Sequence, residues 1–98
     1  MQFIIFAYDG TDDKAPERRM AAREAHMALV EKHKAQGIVK FGAAILNEAE
    51  QMIGSMMVVE YPDRDALNAW LVEEPYITGK VWDKVAVQPC KTAPPFVE

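Results

Sequence analysis

Apolar residues follow two rhythms along this chain. Phe3-Ile4-Ile5-Phe6-Ala7-Tyr8 is an unbroken apolar run of β-forming side chains closed by Asp9-Gly10, the pattern of a strand buried on both faces. Thr11 to Ala15 is a polar loop, and Pro16 stands where the first turn of a helix accepts proline. A long helical pattern then runs to about Gln36, where Gly37 stops it. Ile38 to Leu46 predicts a second strand and Met52 to Tyr61 a third, joined by a hairpin loop over Asn47 to Gln51. Pro62-Asp63 turns the chain into a second helix, with Asp63 as N-cap and Leu67, Trp70 and Leu71 at helical spacing. Pro75 ends that helix after Glu74. A short turn over Pro75 to Gly79 leads to a last strand, Val81 to Gln88, and then to a tail from Lys91 to Glu98 containing Pro94-Pro95.

The order β-α-β-β-α-β predicts a ferredoxin-like α+β domain, with a four-stranded antiparallel sheet in the order 4-1-3-2 and two helices on one face. It spans residues 1–98, with a core over 2–90 and the tail over 91–98. A sheet with one wet face should alternate apolar and polar residues, but this one does not. The first strand offers Phe3, Ile5 and Ala7 to one side and Ile4, Phe6 and Tyr8 to the other; the third offers Met57 and Val59, then Met56 and Val58. Something apolar must cover the helix-free face. A second sheet from an identical subunit, back to back, is expected in preference to the proline-containing tail.

Charge and composition narrow the partners. With 11 Lys and Arg against 15 Asp and Glu, the net charge of -4 and the lack of a long basic run argue against nucleic acid and an anionic membrane surface. Cys90 is the only cysteine, so neither an internal disulfide nor a cysteine-rich metal site is expected. The apolar start lacks the basic region and cleavage site of a targeting segment, and no apolar run approaches the roughly 20 residues of a membrane helix. A soluble protein of a reducing cytoplasm is the expectation.

On a helical wheel of about 100° per residue, Met20, Ala22, Met27, Leu29 and Val30 share one half of the first long helix. His26 falls near the middle of that half, with Arg19 and Arg23 in the same arc. An imidazole there needs a polar partner, because burying it bare would cost a few kcal/mol. A core histidine bonded to a backbone carbonyl meets that need. The topology, however, sends Asp9, Ser55, Glu74, Tyr76 and Asp83 to the same end of the sheet. Asp9 shares strand parity with Phe3, Ile5 and Ala7, making it the first choice of partner and Glu74 the second. A histidine oriented by a carboxylate is a general acid–base unit, and Ser55 offers a proton relay. His26 and His33 lie seven residues apart, about 10 Å along the axis, too far to clasp one metal ion. There is no glycine-rich phosphate loop, and Ser55 has no G-x-S-x-G setting. Trp70, Trp82 and the methionines are expected in the core.

Several short stretches, in order, resemble the YciI-like (YCII-related domain) family over nearly the whole chain. They are Phe6-Ala7-Tyr8-Asp9, Arg23-Glu24-Ala25-His26-Met27, Gly42, Gly54-Ser55, and Glu74-Pro75-Tyr76 with Gly79. The resemblance implies a dimeric α+β barrel and an enzyme built on a histidine with an aspartate, here His26 with Asp9. Glu74 stands where the family usually has aspartate before Pro75. Ala43-Ala44 stands where Gly-Pro is usual, which alters a pocket wall. The best-defined activity of the family is removal of chloride from a chlorinated hydroxyquinol, without metal or redox cofactor. The sequence therefore predicts a cofactor-free enzyme for a small aromatic or quinol-like molecule. His26, Asp9 and Ser55 are the expected catalytic residues, and Arg19, Arg23, Glu74, Tyr76 and Asp83 the expected substrate-binding ones. Lactone or enol isomerisation on the same scaffold, or a non-catalytic ligand-binding dimer, are the alternatives.

Overall fold

The structure, a computed structural model, describes residues 1–96. In chain order it contains β1 (Gln2–Asp9), α1 (Ala15–Ala35), β2 (Val39–Leu46), β3 (Met52–Glu60), α2 (Arg64–Leu71), α3 (Pro75–Thr78) and β4 (Trp82–Cys90), then a single 3₁₀ turn, Pro94–Phe96. The strands form one antiparallel sheet in the order β2-β3-β1-β4, the topology the element order predicts. Among the described residues no helix is long and apolar enough to cross a membrane. Of the expected tail, Val97 and Glu98 lie outside the described residues.

Strand parity sorts the side chains as the sequence implies. Phe3 pairs with Val59, Ile5 with Met57 and Ala7 with Ser55; all six are buried beneath the helices. They pack with Leu67, Trp70, Tyr76 and Val81 to form the core. On the opposite face, Ile4 pairs with Val58 and Phe6 with Met56, and Phe6 and Tyr8 are 43% and 45% exposed. One sheet thus has a sealed apolar face and an open one.

The ends of α1 follow from local chemistry. Pro16 occupies its first turn. At the C-terminus Gly37, at φ 77, donates to the carbonyl of Lys34, and Ile38 donates to that of His33. This paired closure needs a left-handed residue, which glycine supplies without a Cβ clash. Asp63 caps α2 by accepting from the amide of Ala66 at 2.8 Å, as predicted. The second helix stops at Leu71 rather than Glu74, because the amides of Glu73 and Glu74 bond three residues back, to Trp70 and Leu71. That tighter closure frees Glu74 to adopt the extended backbone favoured before proline and to start α3.

The inward face of α1 is centred on His26 as expected, with Ala22, Leu29 and Val30 packed against the core, but its methionines lie outside it. Its buried residues are Ala15, Arg19 and His26, whereas Met20 and Met27 are 59% and 42% exposed. Met57 is the methionine that enters the core, at 3% exposure. Two polar side chains, two turns apart, therefore take the inward positions of the longest helix. Such burial is tolerated only with partners, and those partners define the site.

Candidate functional site

His26 projects from the middle of α1 and is 7% exposed. Its Nδ1 lies 2.5 Å from Oε1 of Glu74, a fully buried carboxylate. Glu74 Oε1 also accepts from the amide of Tyr76 at 3.2 Å. A group accepting from a backbone N–H beside an imidazole is best satisfied as a carboxylate, with Nδ1–H as donor. Nε2 then carries the lone pair, and it has no hydrogen-bond partner among the described residues. Tyr76 stacks on the imidazole with ring centres 3.9 Å apart and planes 13° apart, while Trp82 meets it edge-on at 6.0 Å. The ring is thus fixed in tautomer, plane and direction.

Glu74 reaches this place because α3 docks on α1. A Cβ on Gly79 would lie 2.8 Å from the carbonyl of Pro75 and 3.2 Å from Cβ of Ala22, so a side chain there would push the single turn off the helix. Glu74 keeps a second oxygen, Oε2, that is buried and unpartnered among the described residues. Leaving a buried acceptor unsatisfied costs about 1–3 kcal/mol, and more for a charged one. A carboxylate held in that state suits a functional task better than a stabilising one. Its charge, after burial, pushes the phenol of Tyr61 up to about 12, so Tyr61 stays protonated at neutral pH.

Asp9 is not the partner of His26. Arg19 Nη1 takes both its oxygens, at 2.9 and 3.0 Å, and both side chains are almost fully buried. The parity argument did place Asp9 on the helix-facing side, but a guanidinium two turns before His26 claims it. Arg19 Nη2 donates to Ser55 Oγ at 3.1 Å, and Trp82 Nε1 donates to the same oxygen at 3.3 Å. A hydroxyl has two lone pairs and one hydrogen. With both lone pairs occupied, the Ser55 hydrogen is left to donate into the cavity that Ser55 lines. No hydrogen bond joins Ser55 directly to His26. Arg19 also lies over the Tyr76 ring, 4.8 Å from its centre, and burial is what pushes the Tyr76 phenol up.

Asp83 does not join the group. The pairing of β1 with β4 runs Tyr8 to Lys84 and then Asp9 to Trp82, so Asp83 is an extra residue in a bulge. The bulge turns Asp83 outward, where it is exposed, and brings Trp82 to the buried face. Trp82 thus holds Ser55 in the position where an acid had been expected. Sequence reasoning assigned Trp82 to the core and missed its indole N–H.

His26, Arg19, Arg23, Ser55 and Tyr76 line one cavity of about 490 Å³ between α1 and strands β2 and β3, with Gly42 and Met57 also in its wall. That volume falls in the range of small-molecule sites. Among the described residues no group of three or more His, Cys, Asp and Glu is placed to hold a metal ion. The geometry can take a proton at Nε2, donate a hydrogen bond from Ser55, and offer Arg23 to a developing negative charge.

The chain is 30% identical over 97 residues to Protein YciI of Escherichia coli O6:H1, covering 93% of this chain and 97% of that protein. It is 29% identical, with the same coverage, to an uncharacterized protein of Haemophilus influenzae. Among solved structures it resembles 5-chloro-2-hydroxyhydroquinone dehydrochlorinase from Burkholderia phenoliruptrix AC1100 in complex with 2,5-dihydroxybenzoquinone. There the TM-score is 0.81, with 21% identity and coverage of 95% of this chain and 96% of the other; at that identity the likeness is one of fold. Residues 1–91 match the model of the YCII-related domain, and the chain belongs to that family.

Proposed function

We propose that this protein is a small enzyme that abstracts a proton from an aromatic or quinol-like substrate, with His26 as general base and Glu74 as the carboxylate that orients it. The observation that carries the reading is the buried His26–Glu74 pair, whose imidazole borders a cavity large enough for such a ring. Nε2 takes a ring hydroxyl proton, Ser55 donates to a ring oxygen, and Arg23 faces the resulting oxyanion. Asp9 and Arg19 hold Ser55 in place rather than touch the substrate. Proton transfer of this kind contributes about 10²–10⁴-fold, and positioning of the ring supplies the rest.

The sharpest form of the proposal is dehydrochlorination of a chlorinated hydroxyquinol. His26 takes a ring hydroxyl proton and returns it to the chlorine-bearing ring carbon, which gives the keto form; chloride then leaves as a second hydroxyl proton is lost, and a hydroxyquinone results. The net change is loss of HCl. The carbon–chlorine bond breaks with its electron pair leaving on chloride, so no external oxidant is required. Support comes from the fold shared with the dehydrochlorinase and from the dyad, which suits this chemistry.

The open sheet face, with Ile4, Phe6, Tyr8, Phe41, Met56 and Val58, is proposed to meet the same face of a second copy, since so much apolar surface on one side of a small sheet calls for cover. Sedimentation equilibrium giving twice the chain mass accords with this pairing.

The test is chloride release from chlorinated hydroxyquinols by the purified protein and by His26→Asn. Turnover should fall at least about 100-fold while the thermal midpoint stays near that of the parent. Glu74→Gln should lower turnover through loss of ring orientation. Unchanged turnover in His26→Asn would remove the imidazole from the reaction.

A further inference from the structure

The cavity wall carries a charge pattern of which the proposed general-base chemistry uses only a part. Four cationic side chains line it, Arg19, Arg23, Lys34 and Lys40, and no Asp or Glu does. This occurs in a chain whose acidic residues outnumber its basic ones 15 to 11. Arg19 is neutralised by Asp9. Arg23, Lys34 and Lys40 make no ion pair among the described residues.

The two lysines arrive from separate elements. Lys34 follows His26 on α1 by eight residues, about 12 Å along the axis. Lys40 comes from β2, where Val39 pairs with Val59 and Phe41 with Val58, leaving Lys40 as the extra residue of a bulge. Bulges recur beside functional sites because they re-aim a side chain, and both lysines line the same cavity. Size points the same way. A void of about 150 Å³ already holds benzene, and this cavity, at about 490 Å³, has room for considerably more than one ring.

We infer that the ligand of this site carries an anionic arm, a carboxylate or comparable oxyanion, bound by Lys34 and Lys40 at the far end of the cavity from His26. The inference rests on the reading of this cavity as the substrate site and narrows its substrate class. The best-bound molecule has a flat apolar body against His26, Tyr76 and Met57 and a negative group several atoms away, whereas a chlorinated hydroxyquinol engages the His26 end and leaves the lysines unused. A neutral single ring fills only the His26 end.

A pair of dyes with the same apolar body tests this without relying on turnover. The probes are 8-anilinonaphthalene-1-sulfonate and its uncharged parent, N-phenyl-1-naphthylamine, titrated by fluorescence against the native protein, the double variant Lys34→Gln/Lys40→Gln and His26→Asn. The sulfonate should bind about tenfold or more tightly than the neutral dye, as two partly exposed charge contacts would supply. The double variant should lose that preference, keep its affinity for the neutral dye and keep its thermal midpoint. Raised salt should shrink the preference in the native protein. His26→Asn should retain it, so that a failed chloride-release assay and a failed charge preference remain separate results. Equal binding of the two dyes, binding of neither, or a preference that survives the double variant would each overturn the inference.

Discussion

Arg18 and Arg19 are neighbours on one helix, and each grips an aspartate with two hydrogen bonds, yet the two pairs do opposite things. Arg18 meets Asp12 at 2.7 Å through both terminal nitrogens, with the side chains 32% and 54% exposed. Arg19 meets Asp9 at 2.9 and 3.0 Å, with the side chains 5% and 6% exposed. The outer pair has the shorter contacts. Its hydrogen bonds from Arg18 hold the Asp12 carboxyl down at about 2. Around Asp9, burial outweighs the hydrogen bonds and charge of Arg19 and pushes the carboxyl above its ordinary value. One step of about 100° around a helix therefore separates a solvated clasp from a buried pair whose ionisation works against itself. Only the buried pair holds a side chain of the site, through the bond from Arg19 to Ser55.

The largest effect should come from breaking the inner pair. Asp9→Asn leaves the Arg19 guanidinium charged and buried, with Nε already unpartnered. Removing one member of such a pair costs about 3–5 kcal/mol, a large part of the 5–15 kcal/mol that holds a typical domain together. Urea denaturation should show a clear fall in midpoint, whereas Asp12→Asn should leave the midpoint close to the parent. Similar losses in the two variants would abolish the distinction between the pairs.

A double replacement sharpens the contrast. Asp9→Leu with Arg19→Met removes both desolvation penalties and fills the space with apolar atoms, which is often neutral or stabilising. Stability should recover to near the parent value or above it. Activity should not recover, because Ser55 loses the donor that fixes its hydroxyl. Recovery of both would mean that Arg19 and Asp9 serve the fold alone.

These pairs also mark how far the amino-acid pattern could be read. Periodicity placed β1, α1, the hairpin and the sheet order correctly, because apolar spacing and glycine or proline punctuation are local signals. The wheel put His26 inward for the same reason. The acid that meets it was less legible. Asp9 and Glu74 both reach the same end of the sheet, and the choice depends on Arg19, whose direction follows from packing rather than from its neighbours in sequence. The bulges were invisible. Whether Asp83 or Trp82 faces the helices, and whether Lys40 lines the cavity, is decided by how one strand pairs with the next. Met20 and Met27 share the apolar half of the wheel, yet they stay at its exposed rim, and the most buried positions in the middle of α1 go to side chains with hydrogen-bond partners.

The smallest effect, and the one that separates the pairs most directly, is their response to pH and salt. Asp12 binds its proton less readily in the folded chain than its ordinary 3.8, so its contribution is present above that value and fades as pH falls towards 2. Asp9 binds its proton more readily when folded, so the folded state is favoured by acid there and loses that advantage as pH rises from 3.8 through the raised value. Asp12→Asn should therefore flatten the acid limb of a stability–pH curve below 3.8 and leave the slope just above it intact. Carboxyl carbon shifts followed by NMR should give a midpoint near 2 for Asp12 and one above 3.8 for Asp9. In 1 M salt the exposed clasp is screened, and the Asp12 midpoint should climb towards 3.8 while that of Asp9 barely moves. Equal movement of both midpoints would mean that water and ions reach Asp9 as freely as Asp12, and the buried platform beneath Ser55 would then be no platform at all.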